Sequence, residues 1–179
     1  MAEPRPVVIV DYNPDWPLEF ASLCQVIGSA LGELAIAIEH IGSTSVPGLP
    51  AKPIIDLDVV IASRELLPQV IQRLAGLGYV HEGDKGVPGR EAFTCDVMTP
   101  QDGSGRRWPE HHMYVCCQDS DELAHHLVFR DYLRAYPQVA SAYAQLKRQL
   151  SERYRNDREA YTEGKTAFVE GVLRKAMRE

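Results

Sequence analysis

The sequence predicts an α+β domain, a central mixed sheet followed by a helical segment. Two observations carry this. Residues 7 to 117 hold six short apolar runs interrupted by two helical stripes, whereas everything from Ser120 onward repeats at three- and four-residue steps. Strands in a run, then helices in a run, are the pattern of an α+β core with a helical flank. At 179 residues the chain has the length of one domain, with the core over 1–118 and the helical part over 119–179.

Each element has its own signal. Val7 to Tyr12 reads as a strand, and Asn13-Pro14-Asp15 then starts a helix whose Phe20, Leu23, Cys24, Ile27, Leu31 and Leu34 share a face. Ala35 to Ile41 alternates as a strand does. A turn rich in Gly, Ser and Pro follows, and Ile54 to Ile61 is the continuous apolar run of a strand buried on both faces. Ser63 caps a second helix, with Leu66, Leu67, Val70, Ile71, Leu74 and Leu77 as its stripe and Gly78 as its stop. Tyr79–His81, Glu91–Met98 and His111–Cys117 complete the strands. Three helices follow over about 121–135, 138–155 and 158–177, broken at Tyr136-Pro137 and near Asn156-Asp157.

Hydrophobic content of 45% with 25% charged residues excludes a disordered or fibrous chain. A formal net charge of −6 argues against broad nucleic-acid binding, which needs an extended basic surface, but leaves room for a phosphorylated small molecule held by local lysines and arginines. The four cysteines lack zinc-site spacing and read as small buried hydrophobes of a reducing compartment. The N-terminal apolar run is too short for a signal peptide or a membrane span, so the expectation is a cytoplasmic protein.

The chemistry concentrates between His40 and Val59, HIGSTSVPGLPAKPIIDLDV. Asp56 and Asp58 are i and i+2 on a strand, so their carboxylates leave the same face about 6–7 Å apart. At that range each raises the other's pKa unless a cation intervenes, and on this basis Asn at either position leaves the stability of the free protein unchanged or slightly increased. Magnesium suits such a pair, since it takes one or two carboxylates and completes its shell with water and phosphate oxygens. A solvent-exposed pair, or one matched by arginines, is the alternative. Before the pair, Gly42-Ser43-Thr44 offers backbone amides and hydroxyls to phosphate oxygens. The prolines at 47, 50 and 53 stiffen the connection, and Lys52 adds a positive charge. The spacing matches neither a Walker A loop nor a dinucleotide-binding glycine motif.

A strand, Gly-Ser, about a dozen residues and then Asp-x-Asp on an apolar strand resembles the nucleotidyltransferase (polymerase-β-like) superfamily. The 40–59 string, with VPGREAF, HHMYVC, LVFRDYLRAYP and LKRQLSERYRNDREAYTEGKTAF, resembles its GrpB-like branch. The resemblance implies a minimal nucleotidyltransferase-like core in which Gly42 and Ser43 anchor a nucleotide's phosphates and Asp56 and Asp58 hold Mg2+. Some GrpB-like relatives are fused to dephospho-CoA kinase, which points toward nucleotide or coenzyme A metabolism. Such enzymes place a third carboxylate on a neighbouring strand. Here Asp96 or, by family likeness, His112 stands in that role. The implied activity is transfer of a nucleotidyl group from a nucleoside triphosphate to an unknown acceptor, and the alternative is a nucleotide- or coenzyme A-binding module with a degenerate site.

Other residues break their local pattern. Arg130 takes a leucine's place on the face of Leu123 and Leu127, either for substrate phosphate or for an ion pair. Lys165 lies on the stripe of Tyr161, Phe168 and Val172, at its snorkelling edge or in the site. Arg90 follows a Pro-Gly turn that can aim it at a ligand. Arg106-Arg107-Trp108 reads as a solvated loop, and His125-His126 as helix surface.

Overall fold

The computed structural model describes residues 5–95 and 107–178. Its helices are α1 Trp16–Leu31, α2 Leu67–Ala75, α3 Asp121–Ala135, α4 Pro137–Arg153, α5 Arg158–Glu163 and α6 Thr166–Ala176, with single 3-10 turns at Gly32–Leu34, Ser43–Ser45 and Arg64–Leu66. Strands β1 Ala37–Ile41, β2 Ile55–Ile61, β3 Tyr79–His81, β4 Arg90–Cys95 and β5 His111–Cys117 form one sheet in the order β1-β2-β5-β4-β3. The β2–β5 pair is parallel and the other three pairs are antiparallel, so the sheet is mixed as expected.

Register divides the sheet into two faces. Ile41, Asp56 and His112 lie in one row, and Glu39, Asp58 and Tyr114 in the next. The opposite face carries Ile55, Leu57, Val59, Ile61, Met113 and Val115, which pack with Leu23, Ile27 and Leu31 of α1 and Val70 and Leu74 of α2. Burying these side chains is the main driving force of the fold, about 1.5–3 kcal/mol for each large one. The acidic face is covered by the C-terminal helices. Val60 and Cys116 meet Leu123 of α3, while Val46 and Leu49 of the 46–50 loop meet Leu133 and Tyr143. Strand β2 is therefore covered on both sides, which explains why all its residues other than Asp56 and Asp58 are apolar.

Several expectations need correction. Val7–Tyr12 makes a single bridge, Val10 to Ala51, and no strand. Two prolines before it and the exposure of Val8 leave it without a partner along its length. The last helix is two helices, because the chain turns at Gly164, where a Cβ would stand 2.6 Å from Leu150 Cδ2. Trp108 is a core residue against Tyr79 and His111. Arg106, Asp96 and the end of the Glu91–Met98 strand lie outside the described residues. Cys116 is buried, as read from the sequence, and burial pushes its thiol up to about 12.

Candidate functional site

Gly42 ends β1 with φ +68°, a backbone conformation that a side chain disfavours. A Cβ there would stand 2.5 Å from Asp56 Oδ2, so only glycine lets the turn lie against the acidic strand. The following 3-10 turn is fixed from within, by Ser45 Oγ–H donating to the Gly42 carbonyl, and from outside, by Arg134 donating through Nε and Nη2 to the Ser45 carbonyl at 3.0 and 2.7 Å. Thr44 is turned inward and bonds the His40 ring at 2.9 Å, so its hydroxyl supports the turn from behind.

In front of the turn lies a cleft of about 300 Å³ lined by Gly42, Ser43, Lys52, Asp56, His112, Tyr114, Tyr143, Lys147, Arg158, Tyr161 and Lys165 among others. Asp56 is the single acid in that lining, against four cations. Lys147, on α4, is 2% exposed and donates to Ser43 Oγ at 2.8 Å and to the Pro50 carbonyl. Burial, then the charges of Lys165 and Lys52, hold its pKa down to about 7. Lys165 sits over the Tyr161 ring and is held down to about 8, again by burial first and Lys52 second. Cations kept this close without acids to match them form an anion site.

His112 Nδ1 lies 2.8 Å from Asp56 Oδ1, and Arg158 Nη2 lies 3.1 Å from Nε2. A guanidinium can only donate, so Nε2 accepts and the neutral ring carries its proton at Nδ1, donating to Asp56. His112 thus orients Asp56 with one nitrogen and receives Arg158 with the other, so neither is a free metal-ligand position in this state. Burial pushes the Asp56 carboxyl up, but the bond from His112 and the charges of Lys52 and Lys165 outweigh it, leaving the pKa below the usual carboxylate value.

Asp58 faces the same side but is fully buried. His126 Nδ1–H donates to its Oδ2 at 2.6 Å, while Oδ1 has no hydrogen-bond partner among the described residues. Burial, aided by the Asp56 charge, holds its pKa above the usual value in spite of His126. His126 is therefore no helix-surface residue. Glu122 and Tyr114 flank it, and its one sequence signal is that it lies a turn from Leu123 and Arg130 on the inward side of α3.

The structure brings Gly42, Ser43, Lys52, Asp56, His112 and Lys165 together and leaves four expected contributors out of the cleft lining, Thr44 and Asp58 as described above and Arg130 and Arg90. Arg130 bonds Glu39 at 2.7 Å, Asp131 at 2.8 Å and the His40 carbonyl, the ion-pair arrangement rather than the phosphate one. Arg90 stacks on the Tyr114 ring with its guanidinium carbon 4.4 Å from the centroid, and the charge of that guanidinium acts on Asp58. Lys147 and Arg158 were not read from the sequence. The signal for Lys147 is the one that marked Lys165, a lysine on an apolar helical stripe, here Tyr143, Lys147 and Leu150.

Magnesium fits this set in a limited way. The orphaned Asp58 Oδ1 and the partly open Asp56 carboxylate are two oxygens a divalent ion would satisfy, with water and phosphate completing its shell. Among the described residues no group of three or more His, Cys, Asp or Glu is placed to hold a metal, so this is no all-protein cage. No helix among the described residues is long and apolar enough to cross a membrane.

Comparison with known proteins identifies the family and the fold. The chain superposes on the crystal structure of the conserved protein GrpB from Enterococcus faecalis with a TM-score of 0.82 and 31% identity, over 96% of this chain and 98% of that one. It also matches the Cid1 poly(U) polymerase bound to MgGTP at a TM-score of 0.55 and 12% identity, over 81% of this chain and 45% of that one, a likeness of fold. Among sequences, UPF0157 protein YqkA of Bacillus subtilis is 38% identical over 150 residues, which are 84% of this chain and 41% of YqkA, so the chain spans well under half of that relative. The family model for GrpB protein matches residues 6–175. The chain, built on a nucleotidyltransferase fold, belongs to the GrpB family.

Proposed function

We propose that the cleft binds a nucleoside triphosphate with magnesium and transfers its nucleotidyl group to a small acceptor. The observation that carries this reading is the meeting of the Gly42-Ser43 turn, Asp56 and the cations Lys52, Lys147, Arg158 and Lys165 around one cavity. Phosphoryl transfer asks the protein mainly to position groups and neutralise charge. The Ser43 hydroxyl, Lys147 and Lys165 take the phosphate oxygens, and Tyr143 and Tyr161 wall the cavity. Asp56 and Asp58 would hold the metal, which when bound neutralises phosphate charge and aligns the triphosphate. The acceptor hydroxyl oxygen bonds to the α-phosphorus, and the α–β anhydride bond breaks with its electron pair leaving on pyrophosphate. The hydroxyl proton goes to His112 Nε2 once Arg158 has turned to phosphate.

A second reading, a binding module without turnover, is favoured by one observation, that His126 already occupies Asp58 Oδ2 at 2.6 Å. A thermal-shift screen of nucleoside triphosphates and coenzyme A precursors, with and without magnesium, tests binding. A ligand at 100 times its Kd adds about 2.7 kcal/mol of stability. Magnesium-dependent stabilisation by a triphosphate, lost in Lys165→Ala, is expected. No shift with any nucleotide or coenzyme A precursor overturns both readings, and binding without pyrophosphate release on any acceptor leaves the module.

A further inference from the structure

We infer that the cleft has a second compartment, one that takes the carboxylate or phosphate of the acceptor. This deepens the transfer reading above and rests on it. Beside the main cleft lies a pocket of about 140 Å³ whose walls include Arg5, Val7, Lys52, Pro53, Glu110 and Arg158. Lys52, Ile54 and Arg158 line both spaces, so they form a shared partition.

Three cations face this small volume against one acid, Glu110. The Arg5–Glu110 pair, at 3.5 Å with side chains 84% and 46% exposed, is the kind worth little in water, so Arg5 can leave it for a ligand. Burial first and the charge of Arg158 second hold Lys52 below its ordinary value, and the pulls of Asp56 and Glu110 do not restore it. An anion between Lys52 and Arg158 removes that repulsion. The size limits the guest. At about 30 Å³ per water, the pocket holds the equivalent of about four or five waters. That suits one acidic group on a short carbon stem along Val7 and Pro53, and is too little for a nucleobase with its sugar. Because Arg158 also reaches His112 Nε2 at 3.1 Å, an acceptor anchored here extends toward His112 and Asp56. The acceptor class is thus a small carboxylic or phosphorylated alcohol, not a nucleic-acid strand.

The test is calorimetric titration of malonate and, separately, glycerol 3-phosphate into the full chain saturated with magnesium and an α,β-methylene nucleoside triphosphate. Wild type, Arg5→Glu and Lys165→Ala are compared. At least one anion is expected to bind wild type at one site. Arg5→Glu should weaken that anion tenfold or more while changing the analogue's affinity less than twofold, and Lys165→Ala should do the reverse. Binding of malonate alone assigns a carboxylate, and of glycerol 3-phosphate alone a phosphate. If neither anion binds, if Arg5→Glu binds them as wild type does, or if both variants lose analogue and anion together, the second compartment does not exist. If the analogue fails to bind while Arg5-dependent anion binding persists, the transfer reading falls and the compartment stands.

Discussion

Asp56 is surrounded by His112, Lys52 and Lys165, whereas Asp58 is enclosed in the sheet face with His126, and the two carboxyls shift in opposite directions. The sequence spacing suggested that each raises the other; the Asp56 charge does raise Asp58, but Lys52 and Lys165 help hold Asp56 itself down. A carboxyl whose folded pKa is depressed contributes stability above its unfolded value near 3.8, which is lost as pH falls through the lower folded value. A raised one does the opposite, favouring the fold below 3.8 and losing that contribution as pH rises through the folded value. Asp56→Asn should therefore cost about 1.5–3 kcal/mol at pH 7.5, the worth of a charged hydrogen bond. Asp58→Asn, which keeps a partner for His126, should be neutral or stabilising. Urea midpoints of both variants at pH 7.5 and pH 4 check this, and equal effects at the two positions would refute it. Lys147 gives a second pH signature. Its folded pKa of about 7 lies below the unfolded 10.5, so between those values the unfolded chain binds more protons and stability rises with pH. Lys147→Met should flatten that rise in a melting-temperature profile from pH 6.5 to 10. Gly42, Ser43, Lys52 and Asp56 were legible because one short run carries them all. Lys147, Arg158 and His126 were not, because helical residues reach the site only through tertiary packing.

At the scale of elements, the turn after β1 is held in shape by a missing side chain on one side and by Arg134 and Lys147 on the other. Gly42→Ala should cost about 2–4 kcal/mol, combining the left-handed backbone penalty with the steric conflict at Asp56. The measurement is a denaturant midpoint at unchanged slope, and a loss under 0.5 kcal/mol, the size of a neutral surface change, would show that the turn relaxes freely. Strands β2, β3 and β5 and helix α3 lie where the sequence placed them. The break in the final helix was invisible for a local reason. Gly164 closes α5 with helical angles, and the Leu150 side chain lies where a Cβ would stand, a contact made only in the tertiary fold.

Considered whole, the molecule ties its two parts together at the site itself. His126 to Asp58, Arg130 to Glu39, Arg134 to Ser45 and Lys147 to Ser43 all run from the C-terminal helices to the sheet or its turn, and Val7 N–H donates to the Arg155 carbonyl. The division at 118 read from the sequence is then one of secondary-structure type, and we expect no independent stability on either side of it. The 1–118 fragment, with Asp58 uncovered and Val60 and Cys116 exposed, should show no cooperative melt. The full chain should unfold in one transition with equal calorimetric and van't Hoff enthalpies. Two resolved transitions would contradict this.

Three of the cleft's four cations come late in the chain, with Lys147, Arg158 and Lys165 all following the acidic strand by about ninety residues or more. During synthesis the Gly42-Ser43 turn, Lys52 and the two aspartates therefore leave the ribosome well before the helical cations. A chain stalled after β5 presents the Asp-x-Asp strand with none of the helical cations opposite it. Stalled products are left as sheet-exposing species of the kind that chaperones and proteases clear.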